Sequence, residues 1–357
     1  MRAGLSRNIK RVVIKLGTGV LTDPRKRPDL VQFAQLVAQV AALRARGAEV
    51  VLVTSGAVGA GMGALGFERR PADLADLQAC AAVGQSRLMA LYESLFRHYE
   101  LSVGQVLLTH DDLADHARHL NARNTLRTLL ARGIVPVINE NDAVSVTELK
   151  FGDNDRLSAL VACLLPADLL VILTTADGLI EGFGGPAPHR RSVVEQIDAS
   201  IEGMASGTRS ATAVGGMITK ILAAKMVARA GVPLVIAPGR KFDVLPRILD
   251  GEDEGTLFQP QPTRLSARKR WIAFFQRVAG SLVLDDGAVL AVRDEGRSLL
   301  APGIRSAEGE FAAGDLVSLR DAEGREFARG LARRAASEIG SASGRGEVVH
   351  RDDLVIL

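Results

Sequence analysis

Six stretches of the chain are apolar almost without interruption: RVVIKL at Arg11–Leu16, EVVLV at Glu49–Val53, GQVLLT at 104–109, IVPVIN at 134–139, LLVILTT at 169–175 and PLVIA at 233–237. Strands that face water on one side alternate apolar and polar residues. Strands covered on both faces need not, and a parallel sheet between helical layers is where such strands occur. The intervening segments supply those layers. Helical spacing runs over residues 30–46, ending before Gly47, and over 73–99, with Leu77, Cys80, Ala81, Leu88, Leu91 and Leu95 on one face. Further helices are predicted over 120–131 and 218–230. The fold class is therefore α/β, a parallel-sheet αβα sandwich. Ligands of such sheets bind beyond the carboxyl ends of the strands.

After about Trp271 the pattern changes. SLVLDDGAVLAV, DLVSLRD, EFARGLAR and EVVHRDDLVIL are short alternating segments with turn signals between them, which predicts a small β-rich barrel. Residues 259–272, rich in Pro and charge, read as the join between domains at 1–258 and 273–357. A chain of 357 residues is long enough for both. Aromatics make up only 4%, so the core rests on Val, Leu, Ile and Ala.

No apolar run is long enough for a membrane span, and the N-terminus has no secretory leader. Cys80 and Cys163 sit in apolar helical contexts and read as buried free thiols, so a cytoplasmic location is expected. Net charge is +3, too little to imply a nucleic-acid partner. The six histidines have no metal-ligand spacing, and His116 and His119 in HDDLADHARH read as a solvated helical face.

Lysine is scarce, occurring at 10, 15, 26, 150, 220, 225, 241 and 269. Two lysines stand beside glycines. Lys15 ends a strand before Gly17 and Gly19, and Lys220 follows Gly215 and Gly216 in the first turns of a helix. Glycines allow backbone to approach an anion, and lysine adds a point charge. A lysine at a helix N-terminus opposes the helix dipole, which favours a functional explanation. TSGAVGAGMG (54–63) is a third glycine loop. It fits neither a Walker motif nor a dinucleotide fingerprint, and its Ser55 can bond a small polar substrate. The two polar clusters 139–142 and 152–155 follow and precede apolar runs, so Asp142, Asn154 and Asp155 can hold an ammonium group or orient lysines. Tight turns and solvated loops remain the plain alternatives at each of these places.

Taken together, VVIKLGTGVLTD, VTSGAVGAG, AAVGQSRLM, LNARNTL, PVINENDAV, FGDNDRLSALVA, GGMITK, GTLF and HRDDLVI resemble the amino-acid kinase family, in the branch that acts on glutamate and ends in a PUA domain. VINENDAV with GDND separates that branch from relatives acting on aspartate, acetylglutamate, carbamate or UMP. The resemblance implies ATP- and Mg²⁺-dependent phosphorylation of the L-glutamate side-chain carboxylate, the first step of proline biosynthesis. It implies Lys15, Lys220 and Asp155 as catalytic residues, and Ser55, Asp142 and Asn154 as glutamate ligands. It places Lys15, Thr174, Thr175, Gly215, Gly216, Met217 and Lys220 on the nucleotide. Proline as feedback inhibitor, glutamyl phosphate reductase as functional partner and a homo-oligomer are also implied. The chain departs from the family at Thr174-Thr175, where Thr-Asp is usual, and at Ala213-Val214, where Gly-Thr is usual. Both changes predict weak ATP binding.

Two other readings compete: a regulatory glutamate- or proline-binding homologue with weak turnover, and an RNA-binding protein acting through the PUA domain. Residues 273–357 hold 11 Arg, no Lys and 14 Asp plus Glu, and this acidic balance argues against RNA.

Overall fold

The computed structural model describes residues 9–23, 27–144, 154–206, 216–261, 266–275, 278–339 and 346–357. Two compact units divide the chain, one built from residues 1–112 and 117–264, the other from 113–116 and 265–357.

The larger unit is organised by an eight-stranded sheet in the order β3-β4-β2-β1-β5-β9-β10-β8. Its strands are β1 (Arg11–Leu16), β2 (Glu49–Val53), β3 (Val103–Leu108), β4 (Val135–Glu140), β5 (Leu169–Thr174), β8 (Val193–Val194), β9 (Leu234–Pro238) and β10 (Thr256–Phe258). The six apolar runs pair in parallel, as their composition predicts. β10 pairs antiparallel with β9 and parallel with β8, near one edge. A separate hairpin joins β6 (Ile180–Glu181) to β7 (His189–Arg190).

The helices that matter for the site are α1 (Leu30–Ala45), α2 (Ala57–Met62), α3 (Leu74–Arg97), α4 (His116–Ala131), α5 (Asn154–Leu164) and α6 (Met217–Arg229). Local chemistry sets their ends. Asp29 caps α1 by accepting the Gln32 N–H at 3.1 Å, and Asp73 caps α3 by accepting from Ala75 and Asp76. Gly47, at φ 85°, ends α1 in the left-handed conformation that glycine adopts without strain.

Strand parity distributes the side chains. Val12, Ile14 and Leu16 of β1, Val50 and Leu52 of β2, Val135 and Val137 of β4, and Val171 and Leu173 of β5 share one buried face. That face packs against Phe33, Leu36 and Val40 of α1 and Leu88, Tyr92 and Phe96 of α3. Alternate residues point to the opposite face, where α5 packs on β1 and α6 packs on α5.

The smaller unit contains a six-stranded sheet in the order β12-β16-β15-β14-β11-β13. The strands are β11 (Val278–Leu284), β12 (Leu299–Leu300), β13 (Ile304–Glu308), β14 (Leu316–Arg320), β15 (Glu326–Ala332) and β16 (Glu347–Ile356). SLVLDDGAVLAV divides into β11 and a helix, Asp286–Arg293, rather than strands alone. Asp285 accepts the Ala288 N–H at 2.7 Å and starts that helix, in which Ala288, Leu290 and Ala291 are good helix formers. The end of the predicted join is also helical, Ala267–Phe274.

Two other sequence readings meet the structure differently. Cys80 and Cys163 are buried and not disulfide-bonded. His119, however, is 7% exposed and faces inward from α4, while His116 is exposed, so HDDLADHARH is not uniformly solvated. Among the described residues, no helix is long and apolar enough to cross a membrane.

Candidate active site

Lys15 lies between Ile14 and Leu16 in β1, so its side chain leaves the opposite face of the sheet. There it meets Asp155, the second residue of α5, at 2.7 Å from Nζ to Oδ1. The other carboxylate oxygen receives Lys220 of α6 at 3.0 Å. All three residues are buried, Asp155 at 1% exposure and each lysine at 7%. Burial pushes the Asp155 carboxyl up, but the charges of Lys15 and Lys220 and their hydrogen bonds outweigh it and hold the group well below the usual carboxylate range. A carboxylate in the first turn of α5 also suits the helix dipole, whereas Lys220 in the first turn of α6 opposes it. Asp155 offsets that second cost. The trio retains one net positive charge in a buried place, an arrangement completed by an anion.

Around the trio stand the glycine turns. Gly17 donates its N–H to Leu173 O at 3.2 Å, and a Cβ there would lie 3.1 Å from the same oxygen. Its smallness thus serves the close approach of β1 and β5, and its N–H is already committed. Gly19 packs against Thr175, with Cγ2 3.0 Å from where a Cβ would stand. Thr174 ends β5, and Thr175 follows it, exposed. Gly216 is extended and caps α6, and Met217 is the first residue of that helix. Gly215, Ala213 and Val214 lie outside the described residues.

A chain of neutral side chains adjoins the trio. Asn154, beside Asp155, donates through Nδ2 to Ser55 Oγ at 3.0 Å and to Asn139 Oδ1 at 3.2 Å. Asn139, near the end of β4, shares the parity of Val135 and Val137 and so points toward α3. There its Nδ2 donates to Gln85 Oε1 at 2.9 Å. One residue after β2, Thr54 obeys the same parity and meets Tyr92 of α3, Oγ1 to hydroxyl at 2.7 Å. Burial pushes the Tyr92 hydroxyl pKa up, partly offset by the bond to Thr54. Helix α3 thus supports the ends of β2 and β4 with Tyr92 and Gln85, seven residues apart on one face. Two glycines bring α2 and α3 into backbone contact. A Cβ on Gly84 would lie 1.7 Å from Ala57 O, and one on Gly61 would lie 1.9 Å from Cys80 O. Gly56, at φ 99°, turns the chain from Ser55 into α2.

Of the residues expected from sequence, Lys15, Asp155 and Lys220 meet directly, and Ser55 and Asn154 meet beside them. Asp142 is half-buried in the turn after β4. Three residues had no assigned part. Gln85 lies within AAVGQSRLM and Asn139 within VINENDAV, both legible as signatures without a role for either amide. Thr219, within GGMITK, is likewise in a signature without a role, and it places its Oγ1 2.8 Å from Asp155 Oδ2 and 2.8 Å from Gly216 O.

A family model described as the amino acid kinase family matches residues 10–238, and a PUA domain model matches residues 280–352. Glutamate 5-kinase of Marinomonas sp. (strain MWYL1) is 47% identical over 366 residues, covering 98% of this chain and 97% of its own. Glutamate 5-kinase of Syntrophotalea carbinolica (strain DSM 2380 / NBRC 103641 / GraBd1) is 47% identical over 372 residues, covering 100% of both. Among solved structures, carbamate kinase from Giardia lamblia bound to AMP-PNP superposes with a TM-score of 0.52 at 18% identity, covering 73% of this chain and 100% of that one. At that identity the likeness concerns the fold.

Proposed function

The chain belongs to the amino acid kinase family, and from that premise we propose that it transfers the γ-phosphoryl group of ATP to the side-chain carboxylate of L-glutamate, giving L-glutamyl 5-phosphate. One observation carries the reading: Lys15 and Lys220 are held on the two oxygens of a single buried carboxylate, at the carboxyl end of the sheet.

Phosphoryl transfer needs positioning and charge neutralisation rather than a covalent nucleophile. A glutamate side-chain oxygen forms the new bond to the γ-phosphorus. The bond from that phosphorus to the β,γ-bridging oxygen breaks, and its electron pair leaves with ADP. The attacking carboxylate is already ionised, so no general base is required. Lys15 and Lys220 neutralise the phosphoryl oxygens, and Asp155 keeps the two ammonium groups apart and aimed. Ser55, Asn154 and Asp142 hold the amino acid. Thr174, Thr175, Gly215, Gly216 and Met217 bind the nucleotide. Among the described residues no three His, Cys, Asp or Glu side chains form a metal cage. Asp155 is committed to lysines, so Mg²⁺ would be held chiefly by the triphosphate, where it adds positive charge against the phosphate oxygens.

The same reading makes the product the acyl phosphate that opens proline biosynthesis, with a reductase as consumer and proline as inhibitor. It also carries a cytoplasmic homo-oligomer, and a kinase domain at 1–258 joined through 259–272 to a PUA domain at 273–357. The test is hydroxamate formation by purified protein with ATP, Mg²⁺ and L-glutamate. Turnover with glutamate and none with N-acetylglutamate or aspartate is expected. Absence of any glutamate-dependent product overturns the proposal.

A further inference from the structure

The signature AAVGQSRLM is not used by the chemistry above, yet Gln85 within it is 8% exposed and bonded to the substrate half of the site. Amide groups can be turned either way, so their polarity must come from a partner that has no choice. The backbone N–H of Glu140 is such a partner. It donates to Asn139 Oδ1 at 3.0 Å, which directs the Asn139 nitrogen toward Gln85. Gln85 must then offer its oxygen. Asn154 must give hydrogens to the same Asn139 oxygen and to Ser55 Oγ, using both of its N–H bonds. Two consequences follow at the far end. The Asn154 oxygen, which has no hydrogen-bond partner among the described residues, is left as an acceptor. The Ser55 oxygen already accepts, so its hydrogen is available to a carboxylate. An acceptor and a donor side by side match an ammonium and a carboxylate on one carbon.

Resting on the glutamate reading above, we propose that Gln85 is a positioning residue for the amino-acid substrate: by accepting the Asn139 amide it fixes the hydrogen-bond polarity of Asn139, Asn154 and Ser55. Gln85 acts through Asn139 and touches neither substrate nor phosphate. Its place is set by Gly84, whose missing Cβ allows α3 to meet α2 just beyond Ser55. Without the Gln85 oxygen, the buried Asn139 nitrogen has no acceptor, and Asn139 must rotate or draw in water. Either change releases Asn154 from its single orientation.

The experiment measures kcat, KM for glutamate, KM for ATP and thermal midpoint in Gln85→Met, Gln85→Leu and Gln85→Glu. Methionine and leucine keep the bulk and remove the acceptor. Glutamate, neutral in so buried a position, still offers a carbonyl oxygen. The glutamate KM is expected to rise about ten- to thirty-fold in the first two variants, as loss of a buried hydrogen bond implies. Their KM for ATP should stay within about two-fold, and Gln85→Glu should recover most of the glutamate KM. A glutamate KM at the wild-type value in Gln85→Met or Gln85→Leu overturns the proposal. So does a Gln85→Glu variant with a glutamate KM raised more than about ten-fold, which decides the matter even if neither apolar variant folds. A parallel rise in both KM values means a general packing role and also overturns it. These outcomes require an active wild-type kinase, whereas failure of the glutamate reading shows as an inactive wild type.

Discussion

Replacing Asp155 by asparagine removes one negative charge and leaves two ammonium groups facing each other. The lysine side chains are 9% exposed and that of Asp155 is 2%, so solvent screens them little. Breaking a buried ion pair costs about 3–5 kcal/mol, because the surviving charge loses its partner. Here two charges survive, but the asparagine oxygen can still accept from one of them, which keeps the expected total at about 3–5 kcal/mol. In a unit of this size each kcal/mol lowers Tm by about 2–4 °C, so calorimetry without nucleotide should show a loss of roughly 6–20 °C. Saturating ATP supplies negative charge at the lysines and should recover part of it. Turnover should fall by about 10²–10³, the scale for disabling one transition-state charge contact. The pH dependence has a definite sign. The folded carboxyl is held below its unfolded value of about 3.9, so Asp155 stabilises fully above that value and its contribution disappears as pH falls through the folded one. The Tm difference between wild type and variant should therefore be flat from about pH 6 to 9 and narrow below about pH 4. A variant with wild-type Tm, or with near-normal kcat, would refute the view that Asp155 holds the lysines.

Lys220→Ala should lower kcat by about 10²–10³ with little change in glutamate KM, measured by hydroxamate kinetics. Asp142→Ala should show the opposite split, a glutamate KM raised by the loss of about 2–4 kcal/mol with kcat largely kept, and an unchanged KM removes Asp142 from the site. Gly84→Ala forces a Cβ to 1.7 Å from the Ala57 carbonyl oxygen, so it should destabilise by about 1–3 kcal/mol or more and raise glutamate KM by displacing Ser55. Restoring the usual nucleotide loop with Ala213→Gly and Val214→Thr should tighten ATP by about five- to thirty-fold while leaving the glutamate KM alone.

Much of the larger unit was legible because its signals are local. The six apolar runs announced the strands, and Gly47 marked the end of one helix. Once β1 is a strand, period two alone sends Lys15 away from Ile14 and Leu16. The helix at Asp286–Arg293 was missed although its signal is also local, a cap at Asp285 ahead of Ala288, Leu290 and Ala291. Charge pattern also carried far. A lysine-poor chain with lysines beside glycines at two places, and acids at the borders of apolar runs, pointed to the residues that the structure brings together as Lys15, Asp155 and Lys220.

The neutral partners are another matter. Gln85 meets Asn139 across 54 residues, Asn154 meets Ser55 across 99, and Thr219 meets Asp155 across 64. Local periodicity states that a residue is buried and on which side of its own element it lies. It does not state which strand lies beside which, and the order β4-β2-β1-β5 sets the partners. The direction of each amide is more distant still, because it descends from one backbone N–H at Glu140 through three side chains. The sequence by itself determined which elements form and where the charges sit on them. Only the tertiary structure decided which polar atoms meet, because a hydrogen bond needs its donor and acceptor within about 3 Å, and that distance is created by the packing of elements remote in the chain.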